Sequence, residues 1–254
     1  PLHPATLTSM AQLLHDWTLA ARLVSVVAGV LTVAVTYLLG SAVLGPRAGL
    51  LAALILALMP LHVLNSDYAT VDVTLTLFVA LTLLFAARLA RHPTPRDYLL
   101  AGLCAGLAAS TKYTGGLVLV APVVAHFVAA RRARDDQPQR PVPLLSVWPV
   151  LMVLTMAAAF IATSPYTVLD WGSARRDIVY EAQHMRVGEQ PARSADPNGW
   201  LFLARGLSMG TAGAALVALL GLGGLSSRRA WRPALGLVLF GVLWFAVSGA
   251  VGVR

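Results

Sequence analysis

Charged residues cut this chain into long apolar runs. The stretches 23–46, 48–66, 73–87, 98–111, 113–130, 141–169, 206–227 and 233–253 contain no Asp, Glu, Lys or Arg. A membrane-spanning helix needs roughly 17–25 apolar residues. Six of the runs meet that length. The 73–87 run reaches it when Arg88 and Arg91 extend the helix and snorkel to the interface. The 98–111 run is short and predicts a half-depth or tilted helix. The pattern therefore predicts an all-α, polytopic membrane bundle of about eight helices, forming one domain over residues 1–254.

One connection breaks the rhythm of short loops. Residues 164–205 form a stretch of about 40 residues, and loops beyond about 12–15 residues are usually functional or disordered. Within it Trp171, Ala174, Ile178, Ala182 and Met185 recur at helical spacing. That spacing predicts a helix lying on the membrane surface with Glu181 and His184 toward water. Small residues collect elsewhere, at Ala101, Gly102, Ala105, Gly106, Ala108 and Ala109 and again at Gly210, Gly213, Gly221, Gly223 and Gly224. In a membrane they allow helices to approach closely.

Composition agrees with the runs. Of 254 residues 57% are hydrophobic and 12% charged, about half the charged share of a soluble domain. This excludes disorder and a basic nucleic-acid module. The net charge of +8 is explained by topology. When alternate loops are assigned to the cytoplasm, Arg47, Arg88, Arg91, Arg96, Arg131, Arg132, Arg134, Arg140, Arg228, Arg229 and Arg232 fall there, opposed by Asp97, Asp135 and Asp136 alone. The other side is neutral, as the positive-inside rule requires. Cys104, the single cysteine, has no internal partner for a disulfide and reads as a packing residue.

The non-cytoplasmic side is where candidate chemistry collects. Asp67 and Asp72 stand in HVLNSDYATVD, at the expected start of the third helix. They serve either as helix-start acids or as carboxylates holding an acceptor hydroxyl or a metal. Lys112 in STKYTGG offers a point charge to a phosphate, or is a snorkelling interfacial lysine. Tyr113 beside it has the character of an interface anchor. Arg22 and Arg205 open the first and seventh helices and can clamp a phosphate, or simply mark helix ends. His62 and His184 lie on the same side. No zinc motif, phosphate loop, nucleophile elbow or dinucleotide fingerprint is present, and no resident cofactor is required beyond an optional divalent metal.

The ordered set of stretches ARLVSVVAGVLTVAVTYLLGSAVLGPRAGLLAALILALMPLHVLNSDYATVD, DYLLAGLCAGLAASTKYTGGLVLVAP and SPYTVLD resembles the polyprenyl-phosphate-sugar-dependent glycosyltransferases of the GT-C fold. That group includes the protein O-mannosyltransferases and the bacterial lipid A aminoarabinose transferases. The resemblance covers roughly residues 1–225. It implies transfer of a sugar, with inversion, from a polyprenyl-phosphate donor to a lipid, glycan or protein acceptor on the non-cytoplasmic face of a prokaryotic plasma membrane. Under it Asp72 matches the second acidic position, Lys112 the lysine of a T-K-Y/F-x-G turn, and Arg22 the arginine opening the helix after the first large loop. His3-Pro4 resembles a K/H-P-P segment near the lipid phosphate. Arg205, Tyr113 and His184 are carried as further substrate-binding candidates.

The resemblance also implies a main catalytic acid in the first large loop, and no residue of this chain matches it. The expectation is that this acid lies upstream of Pro1 and that the chain, which reads as cut at both ends, is inactive alone. A transporter of lipid-linked sugars would place ionisable groups at mid-membrane and show inverted repeats. A non-catalytic scaffold would leave the one-sided cluster of acids, histidines and long loop unexplained.

Overall fold

The computed structural model describes residues 4–136, 143, 146–187, 235–236 and 238–243. These are helical, with no strand among them. Helix α1 spans Pro4–Leu44. Its 41 residues extend about 60 Å, twice the thickness of the bilayer's hydrocarbon core. The helix was expected to open at Arg22. It starts a full 18 residues earlier because neither Gly nor Pro interrupts residues 5–28, which are rich in Ala and Leu.

The run at 48–66 is not one straight span. It divides into α2 (Pro46–Leu58) and α3 (Pro60–Asp67), bent by 58°. Pro60 causes the break: it lacks an N–H and drives Met59 into an extended conformation, φ −70° and ψ 116°. Asp67 is consequently the last residue of α3, not part of the helix start that was expected for it.

Helices α4 (Val71–Arg91) and α5 (Pro95–Thr111) form the central antiparallel hairpin. A 3₁₀ segment, Tyr113–Leu119, then leads into α6 (Val120–Asp136). α7 (Val147–Thr163), the one-turn α8 (Tyr166–Leu169) and α9 (Trp171–Val187) complete the described helices that carry the argument. The predicted helix within the long loop is thus present as α9. Arg88 and Arg91 do extend α4 to spanning length, but they bond protein groups there.

Three described helical stretches are long and apolar enough to cross a membrane: Gln12–Leu44, Val71–Arg91 and Tyr113–Arg132. The bent α2–α3 pair makes a fourth if it counts as one span. α5 and α7, at 17 residues each, are shorter. Eight spans are therefore not reached among the described residues. The two C-terminal runs lie largely outside them.

α5 tolerates its shortness because most of it is covered by protein, with Leu99 and Leu103 left exposed on one strip. Ala101, Ala105 and Ala108 are fully buried, and α5 packs on α4 and α7. Gly102 and Gly106, one turn apart, face α7 so closely that a Cβ on either would collide with the carbonyl oxygens of Met152 and Met156. Lipid tails give helices no hydrophobic reason to associate, so this close backbone contact is what holds the pair. The small residues flagged at 101–109 have the packing role expected of them, and Cys104 is buried among them.

The far end of the hairpin is closed by a polar knot. Thr94 caps α5, accepting from the Asp97 amide at 3.2 Å, while its hydroxyl donates to Asp97 Oδ2 at 2.6 Å. Arg88 Nε lies 3.0 Å from Asp97 Oδ1. Arg91 Nη2 donates to the Val43 carbonyl at the end of α1, at 3.1 Å. Nearby the Tyr98 hydroxyl and His126 Nδ1 share a buried 2.6 Å hydrogen bond, and Trp148 stacks on the Tyr98 ring.

Candidate functional site

The opposite end of the hairpin is open and carries the residues singled out by their chemistry. Asp72 occupies the first turn of α4, where the partial positive charge of a helix start favours a carboxylate. Lys112 is the residue that ends α5. The two are 40 positions apart in sequence, yet Lys112 Nζ donates to Asp72 Oδ1 at 3.1 Å. Hairpin geometry brings this about. α4 has 21 residues and α5 has 17, so their lengths differ by about 6 Å, which the long lysine side chain spans. Both side chains remain accessible, Lys112 at 47% and Asp72 at 57%.

The backbone at Lys112 is held from both sides. Its N–H donates to the Ala108 carbonyl at 3.0 Å, and its carbonyl accepts from the Gly115 N–H at 2.7 Å. This tight turn explains the glycine that follows the lysine. A Cβ at Gly115 would strike the Ala108 carbonyl oxygen and lie 2.7 Å from the Leu75 side chain. T-K-Y-T-G-G is therefore a turn that fixes the lysine at the mouth of the hairpin.

Other groups ring the pair. Tyr113 packs its ring 6.4 Å from that of Phe160 on α7 while staying half exposed. Ser110 Oγ and Ser164 Oγ are 2.7 Å apart and join the ends of α5 and α7. Ser25 Oγ donates to the Thr70 carbonyl at 3.4 Å and sets the level of α1 beside the start of α4. Arg22 lies three residues before Ser25, about 4.5 Å further along the axis, and is exposed. It belongs to the same end as Asp72, but inside α1 and not at a helix start.

The remaining candidates divide. His62 Nε2 lies 3.3 Å from the Gly29 carbonyl oxygen, a tie between α3 and α1. His184 lies in the last turns of α9. His3 and Arg205 fall outside the described residues. Asp67 forms no hydrogen bond or ion pair with Asp72 or Lys112 among the described residues. The serines and Thr70 around the mouth were not singled out in the sequence. Their signal is weak: a small hydroxyl residue at the end of an apolar run.

Asp170 immediately precedes α9. Its carboxylate accepts from the Ser173 amide at 3.1 Å. Hydrogen bonding from Ser173, side chain first and backbone second, with Arg176 adding a favourable charge, holds the Asp170 carboxyl below the usual carboxylate range. No group of three or more His, Cys, Asp or Glu among the described residues is disposed to hold a metal ion. Asp72, already facing an ammonium, supplies one carboxylate to any cation, and no step is assigned to a metal.

Chemically, the mouth presents an ammonium and a carboxylate side by side at the end of an apolar bundle. That combination suits an anionic group on one side and a hydroxyl on the other. No curated protein and no solved structure matches the chain. The family described as dolichyl-phosphate-mannose-protein mannosyltransferase matches residues 1–166, about two thirds of the sequence, which includes every residue of the Asp72–Lys112 mouth. With its spanning apolar helices, this chain is an integral membrane protein and belongs to the dolichyl-phosphate-mannose-protein mannosyltransferase family.

Proposed function

We propose that the chain is the membrane-embedded part of a glycosyltransferase that moves a sugar from a polyprenyl-phosphate donor to an acceptor hydroxyl, with inversion. The observation that carries this reading is the 3.1 Å Lys112–Asp72 pair, which joins the residue matching the turn lysine to the residue matching the second acidic position, expected to hold an acceptor or a metal. On this reading the acceptor oxygen attacks the anomeric carbon from the face opposite the phosphate. The new C–O bond forms as the sugar–phosphate bond breaks, and the phosphate departs with the bonding electrons. Lys112 offsets the charge that grows on the leaving phosphate, where a preoriented donor is worth most. Arg22, at the same end, adds to the positive field. Asp72 orients the acceptor hydroxyl. The acceptor's proton goes to the first-loop acid that the resemblance implies.

The side of the membrane follows from charge. The alternating helices carry Arg47, Arg88, Arg91, Arg96, Arg131 and Arg132 to the end opposite the pair. Under the positive-inside rule that end is cytoplasmic and the Asp72 mouth faces outward. The sugar, and whether the acceptor is lipid, glycan or protein, are for the assay to identify.

The test uses the full-length protein in micelles with a short-chain polyprenyl phosphate as probe. Lys112→Ala is expected to weaken probe binding by about tenfold or more, the value of a hydrogen bond to a charged group. Unchanged affinity would remove Lys112 from the site. Transfer of a sugar from a polyprenyl-phosphate sugar with the product in the opposite anomeric configuration supports the full reading. Retained configuration overturns inversion. Binding with no transfer in the full-length protein favours a transporter of lipid-linked sugars.

A further inference from the structure

The α8–α9 segment, which the Lys112–Asp72 reading does not use, carries its own surface. α9 begins seven residues beyond Ser164, which anchors the end of α7 beside the mouth. Trp171, Arg175, Val179 and Gln183 recur every fourth residue, with Arg176 and Tyr180 on the adjoining strip. Together they line an open groove of about 490 Å³ along one face of the helix. Its length, from residue 171 to 183, is about 18 Å.

The chemistry of that face is specific. Two arginines sit side by side between two aromatic rings. Trp171 is 60% and Tyr180 65% exposed. Arg176 Nη2 is oriented by a 2.9 Å bond to Ser173 Oγ. Arg175 makes no hydrogen bond or ion pair among the described residues. Asp170 is occupied in capping the helix, and Asp177 does not line the groove. Just before the helix, Tyr166, Val168 and Leu169 are exposed apolar side chains.

The geometry points to a binding site on α9 for the phosphate headgroup of an anionic membrane lipid, which seats this segment on the bilayer. Charge complementarity selects an anion, since a guanidinium pair presents its donors in forks matched to phosphate oxygens. The flanking aromatic and apolar groups select a lipid over a free anion. Trp and Tyr settle at headgroup depth, and the side chains of α8 would enter the acyl boundary beneath. This site goes beyond glycosyl transfer and does not depend on it.

Hydrogen–deuterium exchange on the full chain tests the proposal. The chain is placed in nanodiscs of phosphatidylcholine alone, or of phosphatidylcholine with about one third phosphatidylglycerol. Amides of residues 171–183 are expected to exchange at least about tenfold more slowly in the anionic discs, from roughly fivefold per arginine near a charged surface. Arg175→Gln should lose about fivefold of that protection, and R175Q with R176Q nearly all of it. Inorganic phosphate added to phosphatidylcholine discs should not reproduce the effect. Three results would overturn the proposal: equal exchange in the two discs, full protection in the double variant, or the same protection from inorganic phosphate alone. The last would identify a soluble anion as the ligand. Arg175 is exposed and makes no hydrogen bond or ion pair among the described residues, so the single variant keeps the test valid if the double variant distorts α9.

Discussion

The Lys112–Asp72 pair allows stability and function to be separated by one set of variants. At 3.1 Å two unit charges attract by about 1.3 kcal/mol in a fully aqueous medium. Both side chains are about half exposed, so solvent and salt screen them, and holding two flexible side chains together costs entropy. Exposed pairs of this kind contribute about 0–1 kcal/mol. Breaking the pair should therefore shift the thermal midpoint by no more than about 4 °C, taking about 2–4 °C per kcal/mol for a domain of this size. If the pair belongs to a transfer site, the loss in turnover is of a different order. Asp72→Asn keeps the shape of the side chain and removes its charge. It should lower turnover at least about tenfold, or about 1.4 kcal/mol of transition-state stabilisation.

The assay is a double-mutant cycle in the full-length protein: wild type, Asp72→Asn, Lys112→Ala and the double variant. Each is measured for thermal midpoint and for sugar transfer. The expected outcome is near-additive, small stability changes beside strongly non-additive losses in transfer, since the two groups act in one event. The opposite pattern would refute the reasoning. A midpoint lowered by more than about 10 °C with wild-type transfer would make the pair a structural staple of the α4–α5 hairpin.

The other predictions address the surrounding frame. Asp97→Asn should do the reverse of Asp72→Asn, lowering stability by about 1–3 kcal/mol because a buried, hydrogen-bonded carboxylate loses its partners; equal probe binding by this variant and wild type is the check. Gly106→Leu should drive α5 away from α7, costing about 1–3 kcal/mol or more from overpacking against the Met156 carbonyl; an unchanged thermal midpoint would contradict the close contact. Asp170 gives a pH prediction. Its folded value is held below the ordinary 3.8, so the cap on α9 is fully present above that value and is lost only as pH falls through the lower folded one. The Ser173 amide shift, followed by NMR, should titrate below 3.8, and a midpoint at or above 3.8 would count against the cap.

Much of the frame was legible from charge spacing, and the exceptions have physical causes. Runs bounded by charges located α4, α5 and α7 because in a membrane a charge is costly away from the ends of a span. The same rule failed at the start of α1. Arg22, Asp16 and His15 interrupt hydropathy without interrupting helix propensity, so the helix runs on beyond the expected boundary. The α2–α3 bend was signalled by Pro60, but hydropathy alone joined the two pieces into one run. The site divided along the same line. Asp72 and Lys112 stood out as a carboxylate and an ammonium at two span ends, and their meeting required only that α4 and α5 pair as a hairpin. Ser25, Ser110 and Ser164 were not legible because a small hydroxyl group in a helix can bond to its own backbone. Thr32, Thr76 and Thr155 all do so, and nothing in the sequence separates those that do from those that join two helices.

The two ends of the α4–α5 hairpin use the same kinds of residue to opposite effect. At one end Asp97 is 2% exposed, faces Arg88 at 3.0 Å, and is further tied to the Thr94 cap. One oxygen accepts from Thr94 and the other faces the Arg88 charge without a hydrogen bond, and burial closes both to a substrate. At the other end Asp72 receives a single donor among the described residues, from Lys112, and both side chains stay about half exposed. A carboxylate that must hold a loop closed gains from burial and several partners. A carboxylate that must receive a hydroxyl needs an unoccupied lone pair and a path to it. Position in the hairpin sets this difference. The Asp97 end is a three-residue turn drawn tight by its own cap, whereas at the Asp72 end α4 starts and α5 and α7 finish beside the middle of α1. A junction of helix ends is where a membrane protein can expose polar groups without placing them in lipid. That physical requirement, more than any single residue, ties the transfer reading to the Lys112 end of this bundle.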